Sequence, residues 1–444
     1  MTSYNEKLER LRADLHAHGT HAAGLAKKTS NLFRDRSVRR RPAVDLSGFN
    51  QVLDINLPAG TVECEGMTTY ADLVEATLAY GVMPCVVPQL KSITVGGATA
   101  GVGIESSSFR YGLVHETLTS MDVLLADGSI ITCTPENEHK DLYFGFPNSY
   151  GTLGYALKVT AQVVPVKKYV RLTHIRHGDA ENFFRNLAQH CNSGADFVDG
   201  AVFSADEMYI TLGHFVDSCP CASDYTFEHI YYRSIREKTS DHLTAQDYLW
   251  RWDTDWFWCS KNLGMQNPLV RRIMGRRRLN SITYSKIMRW NSKWGLTRTL
   301  SALTGKHVEA VIQDVDIPVA HAPAFLGFLL REIGILPIWI CPIHARDAAS
   351  PFPLYKLDAG TLYINFGFWD SVQDREPKPT GYYNRCIERR VQELGGIKSL
   401  YSDVYFPTYE FWDIYGGAAY DALKQRYDPR GILPTVYQKC VLRH

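Results

Sequence analysis

The chain has 444 residues, which is too many for one ordinary hydrophobic core, so its length predicts two domains. Apolar residues make up 45% of it and the net charge is +1, which gives no global reason to expect a nucleic-acid partner. Its ten cysteines are scattered, and the close pair Cys219 and Cys221 has no second pair at metal-binding spacing. Apolar runs stay short of the roughly twenty residues that span a bilayer, and no secretory signal is visible at the N-terminus. These features predict reduced cysteines, no metal, and a protein that is cytoplasmic or peripheral at a membrane.

The first elements of the chain predict a small α+β unit. Residues 5–17 have leucines at 8, 11 and 15, which lie on one face of a helix. Residues 52–56 and 61–64 alternate as a pair of strands, and residues 68–79 form a capped amphipathic helix. A glycine-rich region follows this unit.

Two glycine-rich loops between residues 94 and 154 indicate a nucleotide-cofactor cradle. In the first, four glycines within eight residues precede three consecutive serines. Glycine lets a backbone approach a ligand closely, and hydroxyls can bond to phosphate oxygens, so a cofactor loop explains this pattern better than ordinary turns do. Residues 121–133 alternate around Asp127-Gly128, which predicts a β-hairpin between the loops. The second loop is residues 151–154.

These segments resemble the FAD domain of flavoproteins of the vanillyl-alcohol oxidase and p-cresol methylhydroxylase (PCMH) type. That domain runs from a P-x-x-x-x-x-T-V-G-G loop through an A-D-G hairpin to an S-x-G-T-L-G loop, which correspond here to residues 88–97, 126–128 and 149–154. Residues 103–108, 111–112, 125–129 and 165–170 look more narrowly like the Δ24-sterol reductase (Diminuto) branch. The likeness continues more thinly at residues 311–314, 337–339 and 409–412.

The resemblance implies an α+β fold in three parts. A two-subdomain PCMH-type FAD-binding domain would span residues 1–168, an α+β substrate or cap domain residues 169–400, and a segment returning to the flavin residues 401–444. FAD would be bound noncovalently by Thr29, Ser30, Asn31, Thr94, Val95, Gly96, Gly97, Gly101, Gly103, Ile104, Glu105, Ser106, Ser107, Ser108, Tyr111, Gly112, Gly151, Thr152 and Gly154.

Some of these residues, and the nearby His115, have a plain structural alternative. Thr29 to Asn31 occupy the place of the family's first phosphate loop, but its usual glycines are missing here, so a simple turn is the alternative. Glu105 would be repelled by a pyrophosphate unless it faces a ribose or a backbone amide. His115 invites comparison with family members that attach FAD through histidine, but it lies outside the matched loop, which favours a packing role.

The reaction chemistry is expected from the second half of the chain. Flavin carries the hydride, so the protein has to supply a proton donor and exclude water. Asp403 is the first candidate because other branches of the family place a polar residue near the flavin there; an exposed turn carboxylate is the alternative. Tyr401 and Asp314 are further candidates for the donor. Trp339, Tyr363 and Asn365 are candidates for the substrate pocket, although aromatic residues more often belong to the core.

The cap domain is predicted to mix strands at residues 202–212 and 361–369 with a helix at 323–333. Within it, residues 256–308 contain eleven lysines and arginines and no acidic residue. Aromatic and apolar residues alternate with these charges, including Trp256 to Trp258, Ile273, Trp290 and Trp294. This mixture favours an anionic membrane surface as partner over single-stranded nucleic acid or a solvated loop.

The resemblance implies an FAD-dependent oxidoreductase that acts on CH–CH groups. The expected reaction is the reduction of a carbon–carbon double bond in a lipid, either a sterol side chain or a methylene-branched fatty acyl chain, with NADPH as the reductant. One alternative is an alcohol oxidase or dehydrogenase of the same family. Another is a noncatalytic lipid-binding protein.

Overall fold

The computed structural model describes residues 3–18, 24–26, 33, 43–294, 307–346 and 352–443, and for residues 288–294 it describes the backbone alone. The N-terminal sheet has six antiparallel strands built around the long strand Tyr155–Pro165. From one edge to the other, its order is Val52–Asn56, Thr61–Glu65, Tyr155–Pro165, Leu118–Leu124 and Ile130–Cys133, while Val82–Pro84 pairs with Tyr155–Pro165.

The C-terminal sheet has eight strands, and every neighbouring pair is antiparallel. Its order is Ser240–Thr244, Tyr169–His177, Glu207–Val216, Phe197–Ser204, Ile338–His344, Leu362–Asp374, His307–Pro318 and Ile397–Lys398. A short parallel pair, Leu25–Ala26 with Val44–Asp45, lies outside both sheets.

Helices cover the sheets and connect their strands. The α-helices are Tyr4–His18, Tyr70–Leu78, Val95–Ala100, Ser108–Tyr111, Lys140–Gly145, Ala180–His190, Tyr231–Glu237, Ala245–Leu249, Pro268–Met274, Ser281–Trp294, Ala322–Phe328, Tyr382–Glu393, Thr408–Ile414, Gly417–Tyr427 and Val436–Cys440. Single turns of 3₁₀-helix lie at Val114–Thr117, Cys259–Leu263, Arg276–Arg278 and Val319–His321, and a π-turn at Leu329–Ile333. Within the described residues, no helix combines the length and apolarity needed to cross a membrane.

The two faces of the C-terminal sheet carry different residues. One face is apolar and packs under three helices, with Val315, Ile340 and Phe366 in its core. On the other face, the strand register places Asp314 opposite Gly367. Cys341 on this second face donates a hydrogen bond from Sγ to the backbone oxygen of residue 105, 3.1 Å away. The polar face therefore lies against the first glycine-rich loop.

The elements predicted from local pattern are largely confirmed. The N-terminal helix, the first strand pair, the hairpin around Asp127-Gly128 and the strand beginning near residue 361 all form. Thr69 caps the helix Tyr70–Leu78 by accepting a hydrogen bond from the Asp72 amide, as its sequence predicts. The prediction of one strand at residues 202–212 is wrong, because these residues contain the turn between two antiparallel strands. The first strand ends at Ser204 and the second begins at Glu207. Two adjoining alternating strands give one continuous pattern in the sequence.

Candidate active site

The two glycine-rich loops lie against each other. The Asn148 amide donates to the Gly101 carbonyl at 3.2 Å, and the Tyr150 amide donates to the Ala100 carbonyl at 2.8 Å. The backbone of the second loop is left-handed at Asn148, Tyr150 and Gly151, with φ of 62°, 52° and 74°. Residues other than glycine rarely adopt this backbone conformation, and such strain concentrates at functional sites. The fold thus joins the two predicted cofactor loops into one specialised surface.

Different physical constraints require glycine at different positions of the first loop. A Cβ at Gly96 would lie 2.8 Å from a backbone oxygen, and one at Gly103 would lie 2.5 Å from the Val114 side chain. Both positions therefore require glycine for packing inside the protein. Thr94 caps the short helix that follows by accepting a hydrogen bond from the Gly97 amide at 3.2 Å. Gly97 itself is exposed, so its backbone is the part of this helix end that a ligand can reach.

The serines after the first loop are engaged within the protein. Ser107 donates to the Cys85 carbonyl at 2.8 Å, Ser106 donates to the Glu105 carboxylate at 2.5 Å, and Ser108 accepts from the Glu105 amide at 3.1 Å. All three hydroxyls are buried. These hydrogen bonds stabilise the conformation of the loop.

Unpartnered polar atoms show that the loops suit a polar ligand. Gln89 Oε1, Asn148 Oδ1 and Ser149 Oγ are buried and have no hydrogen-bond partner among the described residues. Because buried polar groups are almost always paired, unpartnered atoms at the second loop and at Gln89, which bonds to Glu105 of the first loop, point to a missing partner. A nucleotide cofactor such as FAD offers ribose, phosphate and ring groups that could bond to them, so the residues present fit this cofactor.

Several other predicted FAD residues support the loops or lie apart from them. Ile104 packs against the main core, and Thr152 accepts a hydrogen bond from the Tyr420 hydroxyl at 2.7 Å. Gly154 has φ of 137°, and a Cβ there would lie 2.6 Å from a backbone oxygen. Gly112, with φ of 73°, ends a short helix, and Tyr111 lines a surface cavity away from the second loop. Val95 is buried in the core as well.

The predicted first phosphate loop, Thr29 to Asn31, lies outside the described residues. Phe33, two positions beyond it, is described. Its amide donates to the Tyr401 carbonyl at 3.0 Å, and its ring lies 5.5 Å from Trp256 and 5.9 Å from Tyr401, measured between ring centroids. The chain just after this segment is therefore anchored on Tyr401.

Asp314 and Tyr401 form the acidic centre of the site. The Tyr401 hydroxyl hydrogen-bonds to the Asp314 carboxyl and accepts a hydrogen bond from Trp369 Nε1 at 2.8 Å. Asp314 Oδ1 is shielded from solvent and has no hydrogen-bond partner among the described residues. Burial raises the pKa of Asp314 to about 7, against the opposing effect of the Tyr401 hydrogen bond and with a further increase from Asp316. A carboxyl with this pKa is protonated in a large fraction of molecules at neutral pH and can donate a proton.

The acidic centre adjoins the second glycine-rich loop. Burial and the Asp314 carboxylate raise the pKa of Tyr401, and Tyr150 is close enough to contribute to this electrostatically. Asp314, Tyr401, Trp369 and Tyr150 are each only half-buried, although the residues around them are buried.

Asp316 is a second acid on the same strand, but both of its oxygens are occupied. The Tyr355 hydroxyl donates to Oδ2 at 2.7 Å and the Asn365 amide donates to Oδ1 at 2.8 Å. Burial raises the pKa of Asp316 to about 6, although both hydrogen bonds lower it. Asn365 thus orients Asp316. The Tyr363 hydroxyl instead accepts a hydrogen bond from the Asp358 amide at 3.2 Å.

Aromatic rings surround the acidic centre. The ring centroid of Trp369 lies 4.3 Å from Phe257 and 5.5 Å from Trp258, and Trp339 lies 5.5 Å from Phe257. Trp256 and Phe257 are consecutive left-handed residues, with φ of 47° and 59°. Such strain at two bulky residues is unusual and shows that the surrounding packing fixes this segment.

A buried ion cluster lies beside the first loop. Arg251 Nη2 is 2.8 Å from Asp199 and 3.2 Å from Glu105, and all three side chains are almost wholly buried. Trp339 Nε1 also donates to Asp199, at 3.2 Å, and Tyr248 lies beneath the guanidinium, whose carbon is 4.0 Å from the ring centroid. Burial raises the pKa of Glu105, which Arg251 opposes. The cluster joins the first loop to the C-terminal sheet, and the sequence prediction missed Arg251 and Asp199 because nothing nearby in the chain connects them.

Asp403, the first candidate acid, lies in a different environment from Asp314. Its carboxylate forms an ion pair with Arg443 at 3.0 Å, and the Lys398 ammonium donates to its backbone oxygen at 2.5 Å. An ion pair with a cation favours the charged form of a carboxyl group. The geometry therefore favours Asp314 over Asp403 as a proton donor.

His115 is buried with its ring 4.5 Å from that of Phe352. Burial lowers the pKa of His115 to about 3, so the imidazole is neutral at physiological pH. Packing against Phe352 agrees with the role that its sequence position favours.

The structure corrects part of the expectation for the basic segment 256–308. Trp256, Phe257 and Trp258 are buried and do not form an exposed interfacial stripe. Arg271 is also buried, 2.6 Å from Asp255. The sequence pattern misled here because aromatic residues beside basic ones occur both at interfaces and in cores.

Comparisons with known proteins agree with the geometry. A family model described as an FAD binding domain matches residues 6–134. The Δ24-sterol reductase of Mus musculus is 28% identical over 410 residues, which cover 87% of this chain and 75% of that protein. The Δ24-sterol reductase of Arabidopsis thaliana is 25% identical over 445 residues, covering 89% and 76%. Cytokinin dehydrogenase 7 of Oryza sativa is 28% identical over 156 residues, covering 33% and 30%.

The fold, the loops and the matching family model therefore give the chain a PCMH-type FAD-binding domain. Along most of its length, the chain resembles the Δ24-sterol reductases.

Proposed function

We propose that the protein reduces a carbon–carbon double bond in a lipid, with Asp314 as the proton donor and NADPH as the source of electrons. The observation that carries this proposal is the half-buried Asp314 carboxyl, whose pKa is about 7 and whose Oδ1 is unpartnered beside the cofactor loops. Its support from relatives is the resemblance to proteins named Δ24-sterol reductases.

The cofactor would lie between the two glycine-rich loops, bound noncovalently. Gly97, Asn148 and Ser149 offer exposed backbone and unpartnered polar atoms for it. Bound FAD would supply the hydride that the reduction of an alkene needs. In the proposed division into residues 1–168, 169–400 and 401–444, the sheets support the first boundary, because the N-terminal sheet ends at Pro165 and the C-terminal sheet begins at Tyr169.

The chain's own residues supply the other half of the reaction. Saturating an isolated alkene requires a proton on one carbon as the other receives hydride. Asp314 holds that proton, since burial among neutral groups disfavours its anion. Tyr401 orients the carboxyl and is itself oriented by Trp369. The packed Phe257 and Trp339 rings would form an apolar wall of the substrate site, suited to the branched hydrocarbon chain of a sterol or a fatty acyl group and able to exclude water.

Two measurements test the reductase proposal. Mixing with NADPH without oxygen should bleach the yellow flavin of the wild-type protein, and a lipid alkene should then restore its colour. Asp314→Asn should still be bleached but should reoxidise with the alkene about 10²–10⁴-fold more slowly, because the amide cannot donate the proton. Asp403→Asn is the matched control and should reoxidise at a rate close to that of the wild type.

The outcomes separate the alternatives. A flavin that an alcohol reduces and NADPH does not would identify an alcohol oxidase or dehydrogenase. A protein that binds the lipid with no redox change would be a lipid carrier. Equal rates for wild type and Asp314→Asn would remove Asp314 from the mechanism. Acid precipitation should release the flavin, and colour that stays in the pellet would contradict noncovalent binding.

A further inference from the structure

We infer that helix Pro268–Met274 and the Arg276–Arg278 turn, together called the docking surface, place the protein on an anionic lipid membrane. Leu269 and Ile273 are 68% and 81% exposed, the highest values for large aliphatic side chains among the described residues. They are four residues apart on one helix and so project from the same face. Single exposed leucines are common, but an adjacent aliphatic pair within a basic segment is not explained by folding.

The docking surface is held in place from beneath. Arg271 projects to the opposite side of the same helix, where Nη1 bonds to Asp255 at 2.6 Å and Nε donates to the Phe227 carbonyl at 2.6 Å. Its side chain is almost wholly buried. This anchor fixes the orientation of the helix, so the outward direction of Leu269 and Ile273 is built into the fold.

The charges around the aliphatic pair match anionic lipid. Arg272, Arg276, Arg277 and Arg278 are exposed. Arg272 and Arg276 form exposed ion pairs with Glu228 and Asp224, at 3.2 and 2.7 Å. Exposed pairs of this kind are weak, so a lipid phosphate can compete for the guanidinium groups. Arg277 and Arg278 form no ion pair with another described residue. In such a surface, the apolar pair inserts among the acyl chains while the arginines bind the anionic headgroups.

A hydrophobic cluster connects the docking surface to the candidate active site. Met274 at the end of the docking helix and Leu279 just beyond its arginines pack in one cluster with Trp256 and Phe33. The Phe33 ring lies 5.9 Å from that of Tyr401, measured between centroids, and Tyr401 contacts Asp314. An apolar substrate leaving the membrane at this surface would meet apolar side chains up to the acidic centre. This route rests on the proposed function, whereas docking itself does not.

Vesicle sedimentation of the FAD-loaded full chain tests the inference. The wild type should bind phosphatidylserine-containing vesicles at low salt and bind pure phosphatidylcholine vesicles more weakly. Ile273→Asp should lower the affinity by roughly tenfold or more at any salt, since it removes apolar insertion. Arg277→Glu combined with Arg278→Glu should lower it by roughly tenfold or more at low salt and flatten the salt dependence. Leu57→Asp is the matched control, because Leu57 is 47% exposed in the turn after strand Val52–Asn56, and should bind like the wild type.

Three results would overturn the inference. The first is a wild type that does not bind anionic vesicles at low salt, and the second is an Ile273→Asp variant that binds them like the wild type. The third is a charge-reversed arginine variant that loses binding to a single-stranded oligonucleotide but keeps binding to vesicles. Reduction of an alkene dispersed in detergent should be retained in Ile273→Asp, which supports a docking role. Vesicle binding by a wild type that reduces no alkene would refute the reductase proposal and leave the docking surface standing.

Discussion

Two acidic clusters border the glycine-rich loops, and only one of them contains a cation. Glu105 and Asp199 share the buried guanidinium of Arg251. Asp314 has Tyr401, Trp369 and Asp316 around it, and no basic group is among the causes of its altered pKa. Burial raises the pKa of both Glu105 and Asp314, but the Arg251 guanidinium opposes the rise at Glu105 and no cation opposes it at Asp314. The comparison shows the same functional group joining a loop to a sheet in one cluster and keeping its proton up to about pH 7 in the other.

The largest expected effect comes from removing the cation of the first cluster. Arg251→Met should lower the free energy of unfolding by about 3–5 kcal/mol, because it leaves Glu105 and Asp199 buried without a positive partner. Urea unfolding measures this loss. Lys167→Met is the control, since Lys167 forms an exposed pair with Asp217 and should cost under about 1 kcal/mol. Equal losses in the two variants would show that burial does not distinguish these ion pairs.

A smaller effect, of opposite sign, is expected for the second cluster. The pKa of Asp314 is about 7 in the native protein and near 3.8 when exposed, so the native state holds the proton more tightly. Ionisation therefore costs native stability progressively as pH rises from about 4 through 7, by on the order of a few kcal/mol. Asp314→Asn should unfold at a higher temperature than wild type at pH 8, with the difference vanishing near pH 4. Asp403→Asn should show no gain at pH 8, and a gain equal to that of Asp314→Asn would contradict the assignment.

The smallest expected effect sharpens the role of Tyr401. Its hydrogen bond lowers the pKa of Asp314, so Tyr401→Phe should move the alkaline limb of alkene reduction upward by about one pH unit. The pH profile of flavin reoxidation measures this shift. Tyr363→Phe is the control, because the Tyr363 hydroxyl bonds to the Asp358 amide and should leave the profile in place. A loss of rate with an unmoved profile would make Tyr401 a packing residue.

Local pattern in the sequence was enough to predict the cofactor region. Four glycines within eight residues, the Asp127-Gly128 hairpin and the Ser149–Gly154 loop are contiguous motifs, and the fold brings the loops into direct contact. Such motifs can be read because glycine and turn residues restrict the backbone within a few positions of themselves. The same reasoning identified the N-terminal helix and the first strand pair, but it merged the strands on either side of Ala205-Asp206 into one.

Only the tertiary structure decided which acid keeps its proton and which aromatic residues are exposed. The sequence put Asp403 ahead of Asp314, but Asp314 lies away from any cation that alters its pKa, while Asp403 pairs with Arg443 from the C-terminal end. Trp256 to Trp258 and Ile273 share one basic segment, yet the tryptophans are buried and the isoleucine is exposed. The pKa of a carboxyl and the exposure of a side chain depend on everything that surrounds them in space. Most of those neighbours are far away along the chain, so no local pattern contains them.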